Sequence, residues 1–171
     1  MNRPYAVGVR AGLRSLAEAD HLLRTLAPVL PLAEPEFGCT HLVRGDRPQV
    51  ALSFSVPTEA LLSTVRQRLA DQGYEAVPGV PDAVGRAVLY PGAARLTGTL
   101  TVAEVLSASA IDRVTVLGSP GPVDPDQRLV TRDHVRPQWQ DGELVLAAMP
   151  AVGGTLAPFE VPNPTPCCAN H

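Results

Sequence analysis

The stretch Gln49-Val50-Ala51-Leu52-Ser53-Phe54-Ser55-Val56 decides how the rest of the chain is read. Val50, Leu52, Phe54 and Val56 alternate with smaller or polar residues. Side chains along a strand point to opposite faces in turn, so the pattern predicts a half-buried strand in an antiparallel pair. Just before it, Arg44-Gly45-Asp46-Arg47-Pro48 carries the Gly, Asp and Pro of a turn. Residues 37–44 then form the partner strand of a hairpin. The Arg-Gly-Asp triplet is read as that turn rather than as an adhesion motif.

Elements flank this hairpin symmetrically. Upstream, residues 5–10 read as a strand, and Ser15-Leu16-Ala17-Glu18 is a capping box opening a helix. Leu16, Ala19, Leu23, Leu26 and Ala27 give that helix an apolar face. Downstream, Thr58 caps a second helix with Leu62, Val65 and Leu69 on its inner face and Gly73 at its end, and residues 74–77 return as a strand. The order β-α-β-β-α-β predicts a ferredoxin-like half, residues 1–80, with both helices on one face of a four-stranded antiparallel sheet.

Residues 81–160 are expected to form a β-rich half with one helix, which makes the whole chain α+β. Strands are predicted at 87–90, 113–117, 129–135, 143–148 and 155–159. A second capping box, Thr101-Val102-Ala103-Glu104, opens the helix. Residues 161–171 form an extended tail, because Pro162, Pro164 and Pro166 exclude a helix.

Composition removes several functions. The chain is 45% hydrophobic, which is enough for a packed core and argues against disorder. It contains no lysine, so Schiff-base and lysine-nucleophile chemistry are excluded. The net charge is −3, the arginines are scattered and aromatic residues make up only 4%, so neither the basic footprint nor the stacking platforms of a nucleic-acid binder are present. No apolar run reaches the length of a membrane span and the first residues do not form a signal core. A cytoplasmic protein without membrane association is expected.

Chemistry-bearing residues gather at two places. Cys39 and His41 are two apart on a predicted strand, hence on one face, and Cys167, Cys168 and His171 crowd the last five residues. Thiolates and imidazoles from two short segments are the ligands of a tetrahedral Zn site, and thiolates also suit Cu(I). Such a metal would tie the tail to the strand around residue 40. The same residues are compatible with a buried apolar cysteine, with a disulfide from Cys39 to Cys167 or Cys168, or with a strained, labile disulfide within the vicinal Cys167–Cys168 pair. The second place is Thr131-Arg132-Asp133-His134-Val135-Arg136. On a strand, Asp133 and His134 would face opposite ways, which disfavours an acid/base dyad and favours a charged edge strand. His21 is placed near the apolar stripe of its helix, and Trp139 is read as a core or inter-half anchor rather than a binding-site lid.

Three functions fit these residues. The first is a non-catalytic binding or accessory protein for a small ligand or a protein partner. The second is a small thiol-dependent enzyme in which Cys39 or a tail cysteine acts with His41, His134 or His171. The third is a structural or assembly subunit, for which homo-oligomers are an option.

Overall fold

The computed structural model describes residues 5–30 and 37–162. Among them the chain is a strand-rich mixed α/β protein, with eleven strands joined in one sheet and three α-helices. The Cys167, Cys168 and His171 positions of the expected tail site lie outside the described residues.

The first strand, β1 (Tyr5–Leu13), leads into α1 (Leu16–Leu26). Ser15 caps α1 by accepting the Glu18 amide, while the Glu18 carboxylate reaches back to the Arg14 amide, one residue beyond the expected capping box. The strands β2 (Phe37–Val43) and β3 (Gln49–Val56) pair antiparallel around the 44–48 turn. Next come α2 (Glu59–Asp71), capped by Thr58, and β4 (Ala76–Pro78). These four strands lie in the order β4-β1-β3-β2, each antiparallel to its neighbour.

The inner faces of α1 and α2 meet one side of that sheet. Ala19, Leu23 and Leu26 of α1 and Val65 and Leu69 of α2 pack on Val7, Val9, Val50, Leu52, Phe54 and Val56. The expectation of a half-buried β3 fails, because Ala51, Ser53 and Ser55 on its other face are buried too. The reason is the segment 79–85, which crosses that face. A Cβ on Gly8 would lie 3.1 Å from Pro81, and His41 is hydrogen-bonded to the Val84 carbonyl.

Beyond this segment, β5 (Arg86–Leu89) joins the two parts of the sheet. It pairs with β2 on one side and, through Arg86, with β9 (Gln138–Gln140) on the other. The intervening elements are β6 (Thr99–Thr101), α3 (Val102–Ala108), β7 (Arg113–Val116) and β8 (Arg128–Val130). The chain closes with β10 (Glu143–Ala151) and β11 (Thr155–Pro158). From β5 the sheet runs β9-β10-β11-β8-β6, with β7 alongside β10. In α3 both halves of the predicted capping box form between Thr101 and Glu104. A second core gathers Val105, Ile111, Leu129, Leu144, Leu146 and Leu156, and it recruits Phe37 and Cys39 from β2. Trp139 is buried edge-on to Phe37, with ring centroids 5.3 Å apart. It therefore ties β9 to β2 inside the second core.

The expected strand at 129–135 ends at Val130. Arg132 and Asp133 both take left-handed backbone conformations, with φ of 56° and 51°. Asp is among the residues that tolerate that region, and here a distant contact holds it, the Asp133 carboxylate accepting the Gly98 amide at 3.0 Å. Thr131 donates its hydroxyl to the Gly98 carbonyl at 2.7 Å, which completes the turn. The short strands β6 and β9 have no counterpart in the sequence reading. Three residues are too few to show an alternation.

Candidate functional site

Five charged or titratable side chains from four separate segments converge beside α1. Arg86 lies at the start of β5, between β2 and β9, with its side chain only 9% exposed. Burying a guanidinium is costly unless its protons are met by acceptors. All five are. Nε and Nη2 donate to Glu160, Nη1 and Nη2 donate to Asp20 at 2.6 and 3.2 Å, and Nη1 also donates to the Thr40 hydroxyl at 3.3 Å. Asp20 is on α1 and Thr40 on β2. Glu160 follows β11, so this one arginine ties the beginning, the middle and the end of the described chain together.

Two further residues complete the cluster. The Nε of Arg136 donates to Asp20 Oδ2 at 3.2 Å, and His134 Nε2 meets Glu160 Oε2 at 2.6 Å. The turn at 131–134 sets this geometry. Because the turn takes up Asp133, the carboxylate partner of His134 is Glu160, 26 residues away, and not its sequence neighbour. The reading of 131–136 as a charged edge strand is thereby corrected: His134 and Arg136 both turn inward, while Arg132 is exposed.

The electrostatics follow from burial against pairing. Burial alone would raise the pKa of Asp20, but the hydrogen bonds and charge of Arg86, and then of Arg136, outweigh it and hold the carboxyl below its usual value. Glu160 behaves alike: burial pushes up, Arg86 and His134 pull down, and the result is a lowered pKa. For Arg86 burial opposes the charge, and the two carboxylates more than restore it, raising its pKa. Arg136 ends lower than an ordinary arginine, because burial and the nearby charges of Arg86 and Arg24 outweigh its contact with Asp20.

These groups line a cleft of about 310 Å3 between α1 and the 134–136 and 160–161 segments. That volume is at the small end of the range for small-molecule sites. Leu16, Ala17 and Val161 supply apolar wall, and His21 and Arg24 stand on the exposed face of α1 at its rim. His21 therefore borders the cleft rather than the apolar stripe.

The Cys/His pair of β2 is on the opposite face from Thr40 and hence away from this cleft. Cys39 and His41 do share a face, and both are buried. His41 Nδ1 contacts the Val84 carbonyl at 3.0 Å and Nε2 the Ser53 hydroxyl at 2.6 Å, so both ring nitrogens are engaged within the protein. A Cβ on Gly85 would lie 2.9 Å from His41 Cε1, so backbone is packed directly over the pair. Among the described residues no group of three or more His, Cys, Asp or Glu is arranged to hold a metal ion.

His134 and Arg136 stood out in the sequence only as part of a charged edge strand, and Asp20, Arg86 and Glu160 were passed over. A signal existed for two of them. Asp20 lies four residues after Leu16 and three before Leu23, so a carboxylate interrupts the apolar stripe of α1. Arg86 opens the apolar run of β5. A charge in a face that must be buried calls for a partner. Glu160, at a strand end among prolines, carries no comparable mark.

Fold and site together define a mixed α/β protein with a charged, small-molecule-sized cleft next to α1. No protein-family model, no curated protein and no solved structure matches this chain. No helix among the described residues is long and apolar enough to cross a membrane.

Proposed function

We propose that this is a non-catalytic small-molecule binding protein whose ligand site is the cleft bordered by α1, Arg86, Arg136 and Glu160. The observation that carries this reading is the convergence of Asp20, Arg86, His134, Arg136 and Glu160 from four segments around an open volume. Burying these charges costs stability that apolar residues of similar size would not, so a network left open to a cleft suggests a use beyond folding. The antiparallel order β4-β1-β3-β2, with both helices on one face, supports reading the first half as a ferredoxin-like unit. That order alone carries no activity.

The test is a fragment screen followed by amide chemical-shift mapping. Ligands are expected to perturb Ala17, Asp20, Arg86 and residues 134–136. They should lose binding in Ala17→Trp, which fills the cleft from an exposed helix position without touching the charged cluster. Fragments that bind elsewhere, or equally well to Ala17→Trp, would refute the reading.

A second reading, an enzyme with His134 as general base, is favoured by the Glu160 contact. A carboxylate on Nε2 fixes the tautomer and leaves Nδ1 as the proton acceptor. It predicts that His134→Gln abolishes turnover of a cleft ligand while leaving its binding intact. Cys39 has no exposed surface, so a thiol-dependent route through it requires the sheet to open. The zinc reading is supported by the shared face of Cys39 and His41, and it requires His41 to exchange one of its two hydrogen bonds for the metal. Zinc counted per chain in the purified protein, and lost in both Cys39→Ser and Cys168→Ser, is its test.

A further inference from the structure

We infer that the cleft takes a small organic acid, with the ligand carboxylate seated on Arg136 and Arg24 closing the rim. This rests on the reading of the cleft as a ligand site and names the chemistry of its occupant.

The two buried arginines of the cleft differ in their spare donors. Arg86 has no spare proton, since each of its five N–H groups meets an acceptor. Arg136 differs. Its side chain is 7% exposed, yet only Nε, on Asp20, and one Nη1 proton, on the Val135 carbonyl at 3.4 Å, have acceptors. Both Nη2 protons and the second Nη1 proton have none among the described residues. A nearly buried guanidinium with three unused donors on the wall of a cleft is matched by an acceptor that enters the cleft.

The cleft also carries an excess of positive charge. Three guanidiniums, Arg24, Arg86 and Arg136, line the cleft against two carboxylates, Asp20 and Glu160. Arg24 and Arg86 both act on Arg136 as like charges. Arg24 has no bonded partner among the described residues and is exposed on α1. His21 and His134 are the remaining titratable groups in the cleft, and each adds positive charge when protonated. One anionic group restores balance.

A carboxylate suits these surroundings better than a phosphate. A carboxylate brings one charge and two coplanar oxygens that match the guanidinium edge. A phosphate dianion would bring a second charge close to Asp20 and Glu160. The apolar wall at Leu16, Ala17 and Val161 gives the body of an organic acid a surface to cover, which an inorganic ion would not use.

Matched probes test this. Isobutyrate and benzoate are titrated against isobutyramide, benzamide and inorganic phosphate, with amide chemical shifts as the readout. The acids are expected to move the cleft resonances and to bind roughly tenfold or more tightly than the amides, the loss of a charge-assisted hydrogen bond. Arg24→Glu, at an exposed position without bonds to keep, should weaken the acids severalfold and leave the amides unchanged. Arg136→Gln should abolish the preference for acids, and Arg136→Lys should retain part of it. Acids and amides binding equally well, both blocked by Ala17→Trp, would overturn the acid inference and keep the cleft as a ligand site. Phosphate outcompeting the acids would overturn the carboxylate assignment. Cleft resonances unmoved by every probe would overturn the inference and the binding reading together.

Discussion

Replacing Arg86 by Met removes a buried cation while keeping most of its volume. The side chain is 9% exposed, and it leaves behind Asp20 and Glu160, 14% and 32% exposed. Breaking a buried ion pair from one side typically costs about 3–5 kcal/mol. Here Asp20 keeps Arg136 and Glu160 keeps His134, and Glu160 is a third exposed, so the lower end applies, about 3 kcal/mol at pH 7. For a chain of this size that corresponds to a fall in Tm of roughly 6–12 °C. Urea denaturation followed by far-UV circular dichroism measures it. Adding Glu160→Gln to Arg86→Met should recover part of the loss, because one stranded carboxylate is then gone while Asp20 keeps its contact with Arg136. The cost of Arg86→Met should also shrink below about pH 4, where the carboxylates of either protein take up protons. A variant within 0.5 kcal/mol of wild type at pH 7, roughly the scatter of an ordinary surface change, would refute the claim that Arg86 is the structural centre of the cluster.

Asp20 and Glu160 both have lowered pKa values in the folded state, so the unfolded chain binds more protons in acid. Their contribution is therefore present above their ordinary pKa values of 3.8 and 4.5 and is lost as the pH falls through the lower folded values. The acid limb of stability against pH should flatten in Asp20→Asn and Glu160→Gln, as read by urea midpoints between about pH 5 and 2. At Gly92, with φ of 81°, a Cβ would lie 2.0 Å from the Ala108 carbonyl oxygen and 2.5 Å from Ser109 Cα. Gly92→Ala should cost about 3 kcal/mol or more, since backbone must move as well as a left-handed residue being strained. Thr101→Ala removes one half of the α3 capping box and should cost about 1 kcal/mol in the same assay.

What was legible in the sequence was local. Period-two alternation marked β3, three-and-four spacing marked α1, and Ser15, Thr58 and Thr101 marked the helix starts, because each signal acts through neighbours a few residues apart. The mixed α and β character followed from those signals. Chain-distant contacts were not legible. Burial of the second face of β3 depends on where the 79–85 segment crosses it. The end of β8 depends on Gly98, whose carbonyl accepts the Thr131 hydroxyl and whose amide donates to Asp133. The cleft is the strongest case. Asp20, Arg86 and Glu160 are 66 and 74 residues apart along the chain, and nothing in their flanking residues encodes that they meet. Charge type alone, a lone carboxylate in an apolar stripe or a lone arginine opening a strand, says that a partner is needed. Only the pairing of β5 between β2 and β9 decides which partners those are, because that register sets Arg86 between α1 and the segment after β11.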